Sequence, residues 1–285
     1  MEERRSQIVL GLDPDPAALW PGAVEAGTDT ADAVTRHCRA AIAAAGPACV
    51  AVKPQLACFE RLGSRGWSAL EAVAQATHDA GLLLIADGKR GDVPVTAKAY
   101  AQALVGETPG PYGPVRGLGA DAFTANPLLG RDALAPLIEA ATAHGAGCFV
   151  LVRTSNPGAA EIQDAPEGDP LHERLARMVD ELGEPHTGES GLSAIGAVTG
   201  ATRPDLLRRL RDLMPRAVFL LPGVGAQGGA VEDLGPAFEP HPAGGLIASS
   251  RSIVDAHRER GGDPPQAAAA AAEELREAAW AVATA

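Results

Sequence analysis

Short apolar runs recur along this chain at residues 8–12, 49–52, 82–86, 122–125, 148–152, 194–198, 218–221 and 246–248. Each is apolar nearly throughout and too short for a stable helix, so each reads as a strand covered on both faces. Between them lie stretches with apolar residues at three- and four-residue spacing, at 30–45, 67–80, 95–105, 132–143, 170–182 and 203–214, with another at 265–283 after the last strand. These predict amphipathic helices that lay one face on a sheet. The remaining gap, 229–241, is broken by Pro236 and Pro240 and predicts only a weak helix. Strands alternating with helices imply a parallel sheet with crossovers. Eight such units in 285 residues predict a single α/β domain over 1–285, a (β/α)8 TIM barrel. A doubly wound open sheet is the competing architecture. The Gly/Pro-rich stretch 106–119 and the polar stretch 183–190 read as surface excursions.

Polar residues gather where the strands end. Asp13 follows the first run, Lys53 the second and Asp87 the third; Ser155-Asn156 follow the fifth, Pro222-Gly223 the seventh and Ser249-Ser250-Arg251 the eighth. In such barrels the carboxyl ends of the strands carry the active site. Asp87 and Lys89 are two apart, so an extended backbone would send both side chains to one side.

Composition sharpens this. Of 24 basic residues only Lys53, Lys89 and Lys98 are lysines. Where arginine has replaced lysine almost everywhere, the exceptions are informative: an ammonium can release a proton, and a guanidinium in effect cannot. Lys53 and Lys89 both sit at the ends of buried strands, a costly place for a charge unless it is paired or used. Strand-end ion pairs would satisfy one reading and proton-donor chemistry the other. Three ionisable groups on three consecutive strand ends favour chemistry. Lys98, a turn into the third helix, reads as a solvated cation. Arg90 has no assignment from spacing and reads as a surface or interface residue.

Gly223-Val224-Gly225-Ala226-Gln227-Gly228 matches G-x-G-x-x-G, but it follows the seventh strand rather than the first, and no acidic residue ends the next strand to hold a ribose. A dinucleotide fold is therefore rejected. Clustered glycines still let backbone N–H groups approach an anion, and loops after strands seven and eight of a barrel often hold phosphate. Arg251 beside that loop is a candidate phosphate ligand. Ser155-Asn156-Pro157-Gly158 is also ordinary turn chemistry. A net charge of −12 argues against nucleic acid or an anionic membrane as partner. The four cysteines form no CxxC pair, no run approaches a membrane span, and residues 1–5 lead into a strand without a signal-peptide core; a cytoplasmic enzyme is expected. The seven histidines lack zinc-site spacing, so no metal is expected.

Together these residues resemble the orotidine 5′-phosphate decarboxylase family, in its longer-chain bacterial branch. Asp87-Gly88-Lys89-Arg90-Gly91-Asp92 resembles the D-x-K-x-x-D signature, and Leu12-Asp13-Pro14 the first-strand aspartate motif. Val52-Lys53-Pro54-Gln55 with Phe59-Glu60 resembles the second-strand lysine motif, and Arg153-Thr154-Ser155-Asn156-Pro157-Gly158 and the 222–229 segment the pyrimidine and phosphate loops. The departures are Gly88 for alanine, Val93 for isoleucine, Pro94-Val95 in the motif's tail and Ser250 for glycine. The resemblance implies cofactor-free decarboxylation of orotidine 5′-phosphate to uridine 5′-phosphate. It implies Lys89 as proton donor, Asp87 beside the departing carboxylate, and Lys53 and Asp13 on the ribose. Ser155 and Gln227 would read the pyrimidine, and Pro222, Gln227, Ser250 and Arg251 would line the phosphate end. Asp92 and Thr96 would reach across a homodimer interface. A sugar-phosphate decarboxylase or aldolase of the same superfamily would share the signature but need Mg²⁺ and a carboxylate near Lys53. A catalytically silent phosphate-binding barrel would need no lysine between two aspartates.

Overall fold

In the computed structural model, which describes residues 1–225 and 228–285, eight parallel strands close into a barrel. They are β1 (Ile8–Leu12), β2 (Ala51–Pro54), β3 (Leu83–Arg90), β4 (Ala122–Ala125), β5 (Gly147–Arg153), β6 (Ser193–Thr199), β7 (Ala217–Pro222) and β8 (Gly245–Ser249), in chain order around the ring. β8 pairs back onto β1 at Ile8↔Ile247, so the open sheet is excluded. The outer helices are α1 (Thr30–Ala45), α2 (Ser64–Asp79), α3 (Pro94–Leu104), α4 (Arg131–Ala143), α5 (Leu171–Gly183), α6 (Pro204–Leu213) and α7 (Pro264–Ala283). The 229–241 gap holds a 3₁₀ helix, Val231–Phe238, as its prolines require.

Strand alternation divides the core in two. Ile8, Leu10 and Leu12 face the helices, while Val9 joins Ile85, Phe149, Val198, Leu220 and Leu246 inside the barrel. Phe149 fits there because Gly196 faces it: a Cβ on Gly196 would lie 2.7 Å from the Phe149 ring and 2.5 Å from the Val218 carbonyl. Helix α1 starts where the Asp29 carboxylate accepts from Ala31 N (2.9 Å) and Asp32 N (3.1 Å), and it buries Val34, Cys38, Ala41 and Ile42. The alanine-rich α7 turns Ala268, Ala272 and Ala279 inward, and such small residues let it lie close on α1.

Two expected boundaries shift. β2 begins and ends later than its apolar run, so Lys53 lies within the strand, and β3 continues through Asp87 and Lys89 to Arg90. The 106–119 excursion is not plain loop: Glu107–Thr108 and Val115–Arg116 pair as a small antiparallel hairpin. At the barrel's amino end, Arg211 is buried among backbone carbonyls, donating to those of Met214 (3.0 Å), Ala217 (2.7 Å), Ala237 (2.7 Å) and Gly244 (3.0 Å), with its guanidinium 3.9 Å from the centre of the Phe219 ring.

Candidate active site

The site is built outward from Asp87, which is 4% exposed at the barrel's carboxyl end. Its Oδ2 accepts from Lys53 Nζ (2.5 Å) and Gln55 Nε2 (3.3 Å), and its Oδ1 from Lys89 Nζ (2.5 Å) and Thr124 Oγ1 (2.9 Å). One carboxylate thus holds two ammoniums. Burial opposes its charge, but Lys53 and Lys89 outweigh that and draw its pKa down to about 2. Burial likewise opposes the Lys53 charge, and Asp87 with Asp13 overcomes it, leaving Lys53 above the usual lysine range. With Asp13 near Lys53 as well, Lys89 is the ammonium whose only carboxylate among the described residues is a shared one, which leaves it available to an anionic ligand.

Lys89 reaches this position through an irregular backbone rather than plain strand alternation. β3 pairs with β4 at Ala86↔Phe123 and next at Arg90↔Ala125, so residues 87–89 stand opposite Thr124 alone. Lys89 has a φ of +47°, which an L side chain rarely adopts. Thr124 Oγ1 accepts from Lys89 N at 2.8 Å while donating to Asp87, so one hydroxyl fixes both the bulge and the carboxylate. The same-side expectation for Asp87 and Lys89 holds, but for this reason and not for the period of an extended strand.

Next to Lys53 opens a cleft of about 100 Å³ lined by Asp13, Pro222, Gly223, Ser249, Ser250 and Arg251. Gly11, on its wall, is needed there: a Cβ would lie 2.8 Å from Ser250 Cβ, so the serine at 250 is accommodated by the neighbouring strand's missing side chain. Gly225 (φ +73°) turns the loop after β7, and a Cβ there would overlap Ser252 Oγ. Arg251 is exposed and forms no ion pair among the described residues. Gln227 lies outside the described residues. Ser249 Oγ is buried with no hydrogen-bond partner among the described residues and borders the cleft.

The other expected residues stand apart within one chain. Ser155, half-buried beyond β5, packs its backbone against Gly200, where a Cβ would come within 3.0 Å. Asp92 accepts only from Val93 N (2.7 Å) and meets no cation among the described residues, so the two flanking carboxylates do not both reach Lys89 here. Thr96 is exposed on the first turn of α3. Arg90, expected as a surface or interface residue, is half-buried within the chain, bonded to Glu60 and stacked on Tyr100. Sequence reading also missed Thr124, and it named Gln55 and Ser249 within motifs without giving either a role. Thr124 carried a signal, being the one polar residue in Ala-Phe-Thr-Ala. Among the described residues no group of three His, Cys, Asp or Glu is placed to hold a metal ion, and no helix is long and apolar enough to cross a membrane.

A barrel whose carboxyl-terminal mouth sets two ammoniums on a shared carboxylate, beside a glycine-walled cleft, defines a barrel enzyme suited to a phosphorylated anion. The sequence model described as orotidine 5′-phosphate decarboxylase / HUMPS family matches residues 6–271. The chain is 41% identical over 259 residues to the orotidine 5′-phosphate decarboxylase of Rhodopirellula baltica, covering 89% of this chain and 85% of that one. It is 39% identical over 250 residues to that of Deinococcus radiodurans, covering 88% and 84%. The solved OMP decarboxylase of Leishmania donovani superposes with a TM-score of 0.76 at 33% identity, covering 100% of this chain and 97% of that one. The chain belongs to the orotidine 5′-phosphate decarboxylase family.

Proposed function

We infer that the protein is a carboxy-lyase that converts orotidine 5′-phosphate to uridine 5′-phosphate and CO₂, the closing step of UMP biosynthesis. The observation that carries this reading is the Lys53–Asp87–Lys89 array, with Lys89 at the open end of the pocket, its side chain 41% exposed against 10% for Lys53. Family membership supports it.

Loss of CO₂ from C6 of the pyrimidine leaves an electron pair in an sp² orbital that the ring does not delocalise. A fixed positive charge is the direct remedy, and it acts best where the protein has already oriented it. In our reading the Lys89 ammonium faces the developing carbanion and then gives its proton to C6; water returns the proton to Lys89 afterwards. Asp87 serves two ends: it keeps both lysines charged and oriented, and it sets a negative charge near the substrate carboxylate. Lys53 and Asp13 hold the ribose hydroxyls. Ser155 and Gln227 read the pyrimidine edge. Arg251, with the backbone around Pro222, Gly223 and Ser250, grips the phosphate, whose binding energy helps to close the site over the reacting ring.

The solitary Asp92 and Thr96 fit a homodimer in which each chain lends them to its partner's pocket, where Asp92 would complete an alternating Lys-Asp-Lys-Asp row and give Lys89 a second carboxylate. The chain acts as one catalytic unit over 1–285. Nothing in this mechanism calls for a cofactor, and the ammonium of Lys53 occupies ground where a Mg²⁺-dependent relative would place a carboxylate. The deciding experiment is direct. Purified protein is mixed with orotidine 5′-phosphate in the presence of excess chelator, and substrate loss is followed with the appearance of uridine 5′-phosphate. Undiminished turnover is expected; loss of activity restored by Mg²⁺ would overturn the reading.

A further inference from the structure

We propose that Arg90 and Glu60 form a positioning pair that holds Lys89 in its proton-donating conformation. The proposal rests on the decarboxylase reading and assigns these two residues a part in it. Arg90 directly follows Lys89 and is the residue at which β3 rejoins β4, pairing with Ala125 and accepting from Asn126 N at 2.8 Å. Its side chain is 24% exposed; one guanidinium nitrogen bonds Glu60 Oε1, and the guanidinium carbon lies 5.4 Å from the centre of the Tyr100 ring.

Glu60 ends the short helix Leu56–Glu60, which begins two residues after Pro54, the last residue of β2. The pair therefore ties the segment that follows Lys53 to the residue that follows Lys89. Gln55 makes a second tie between the same two strands through Asp87. That helix also presses on the bulge itself, since a Cβ on Gly88 would lie 2.8 Å from Leu56 Cδ1.

The left-handed backbone at Lys89 explains why such a clamp is needed. A lysine holds a positive φ only where its surroundings over-determine it. Thr124 restrains the residue through its N–H, and Arg90 fixes the peptide on its other side. Without the clamp, β3 can relax toward regular pairing, and the Lys89 ammonium would leave the direction in which C6 must lie. Exposed ion pairs contribute little to stability, but a half-buried guanidinium with a carboxylate and a ring as partners is geometrically determined.

The test uses the full chain carrying Arg90→Met, Arg90→Lys or Glu60→Gln. Three quantities are read: steady-state kinetics, the affinity for uridine 5′-phosphate, and exchange of its C6 hydrogen with deuterated water. The last asks Lys89 to move a proton without any decarboxylation. Arg90→Met and Glu60→Gln should each lower kcat and C6 exchange together by roughly thirty- to a hundredfold, the scale of an ångström's misplacement, with KM and product affinity changing less than about threefold. Arg90→Lys should recover part of the loss, and the Arg90→Met/Glu60→Gln double variant should be no worse than either single change. Variants that keep the wild-type kcat and exchange rate, or that only raise KM, overturn the proposal. Should Arg90→Met fail to fold, the near-isosteric Glu60→Gln decides alone. Wild-type protein without turnover would instead overturn the decarboxylase reading itself.

Discussion

The two ends of the barrel each bury a cation, and they neutralise it differently. At the amino end Arg211, 4% exposed, is surrounded by backbone carbonyls and lies over Phe219. With carbonyls rather than a carboxylate against it, burial draws its pKa down to about 10, and the distant Glu239 charge only partly offsets that. At the carboxyl end Lys53, 8% exposed, faces the Asp87 carboxylate, and its pKa rises instead. Carbonyl dipoles satisfy a guanidinium's donors but bring no counter-charge, and in a closed pocket of backbone that cation holds structure together. A carboxylate shared between two ammoniums, with Asp13 near Lys53 alone, leaves Lys89 incompletely matched and free to act on a ligand. The first arrangement joins α6, β7, β8 and the 3₁₀ segment; the second, on the proposed function, is a reagent.

The largest expected effect strikes the reagent. Lys89→Ala should lower kcat by at least about a thousandfold, since the lost interaction acts only on charge that appears as the bond breaks. Uridine 5′-phosphate binding and the melting temperature should change little. A variant that keeps even a tenth of the wild-type kcat would remove Lys89 as proton donor.

The next test asks whether another chain completes the match to Lys89. Lys89→Ala and Asp92→Ala proteins, each nearly inactive, are mixed under conditions that let subunits exchange. In a hybrid dimer one site receives both changes and the other neither, so random exchange should restore about a quarter of wild-type activity. A mixture that stays inactive, although mass spectrometry shows hybrids, would assign Asp92 to its own chain's pocket.

Arg251→Ala should chiefly raise KM, by roughly thirtyfold, as the loss of a charge-assisted hydrogen bond to phosphate implies. Equal reactivity of both proteins toward phosphate-free orotidine is part of that expectation. A KM unchanged for the phosphorylated substrate would remove Arg251 from the phosphate grip.

At the amino end the sign of the effect reverses: stability moves and chemistry stays. Arg211→Met leaves buried carbonyls without donors and should cost about 3 kcal/mol. The loss would appear in denaturant unfolding, with kcat of the folded protein preserved. A drop in kcat as large as the drop in stability would show that the two ends are not independent.

The smallest effect is the pH dependence of the Asp87 cluster. Its folded pKa, about 2, lies below the ordinary value of 3.8, so the stabilisation is present in full above 3.8 and is lost as pH falls through 2. That shift corresponds to about 2 kcal/mol. His37 contributes earlier: burial lowers its pKa to about 4, so its share is complete above 6.5 and fades toward pH 4. Asp87→Asn should therefore lessen the loss of unfolding free energy below pH 3.8 and leave the loss between pH 6.5 and 4 in place. Equal losses below pH 3.8 in both proteins would contradict the assigned cause.

The strands were legible because each is an apolar run with no competing helical period, and the polar residues just beyond them marked which end carries chemistry. The β3 bulge was not, because it depends on β4 presenting Thr124 across a gap of 37 residues in sequence. Arg90 was opaque for the same reason: a cation beside another cation carries no periodic signal until Glu60 and Tyr100 are brought to it. Arg211 did leave a trace. It lies four residues after Leu207 and one after Leu210, both buried, so an arginine stood on the apolar stripe of α6 and its burial was foreseeable. The roles of Asp92 and Thr96 came from family resemblance, and within a single chain neither is bonded to Lys89 among the described residues.

The scarcity of lysine has a practical consequence. With only Lys53, Lys89 and Lys98 present, selective isotopic enrichment of lysine would give a 285-residue enzyme just three side-chain resonances. Two report from the two sides of Asp87 and the third, from an exposed residue on α3, serves as an internal reference. The protonation and burial of the two ammoniums on Asp87 could then be watched one by one during ligand binding, in a spectrum free of overlap.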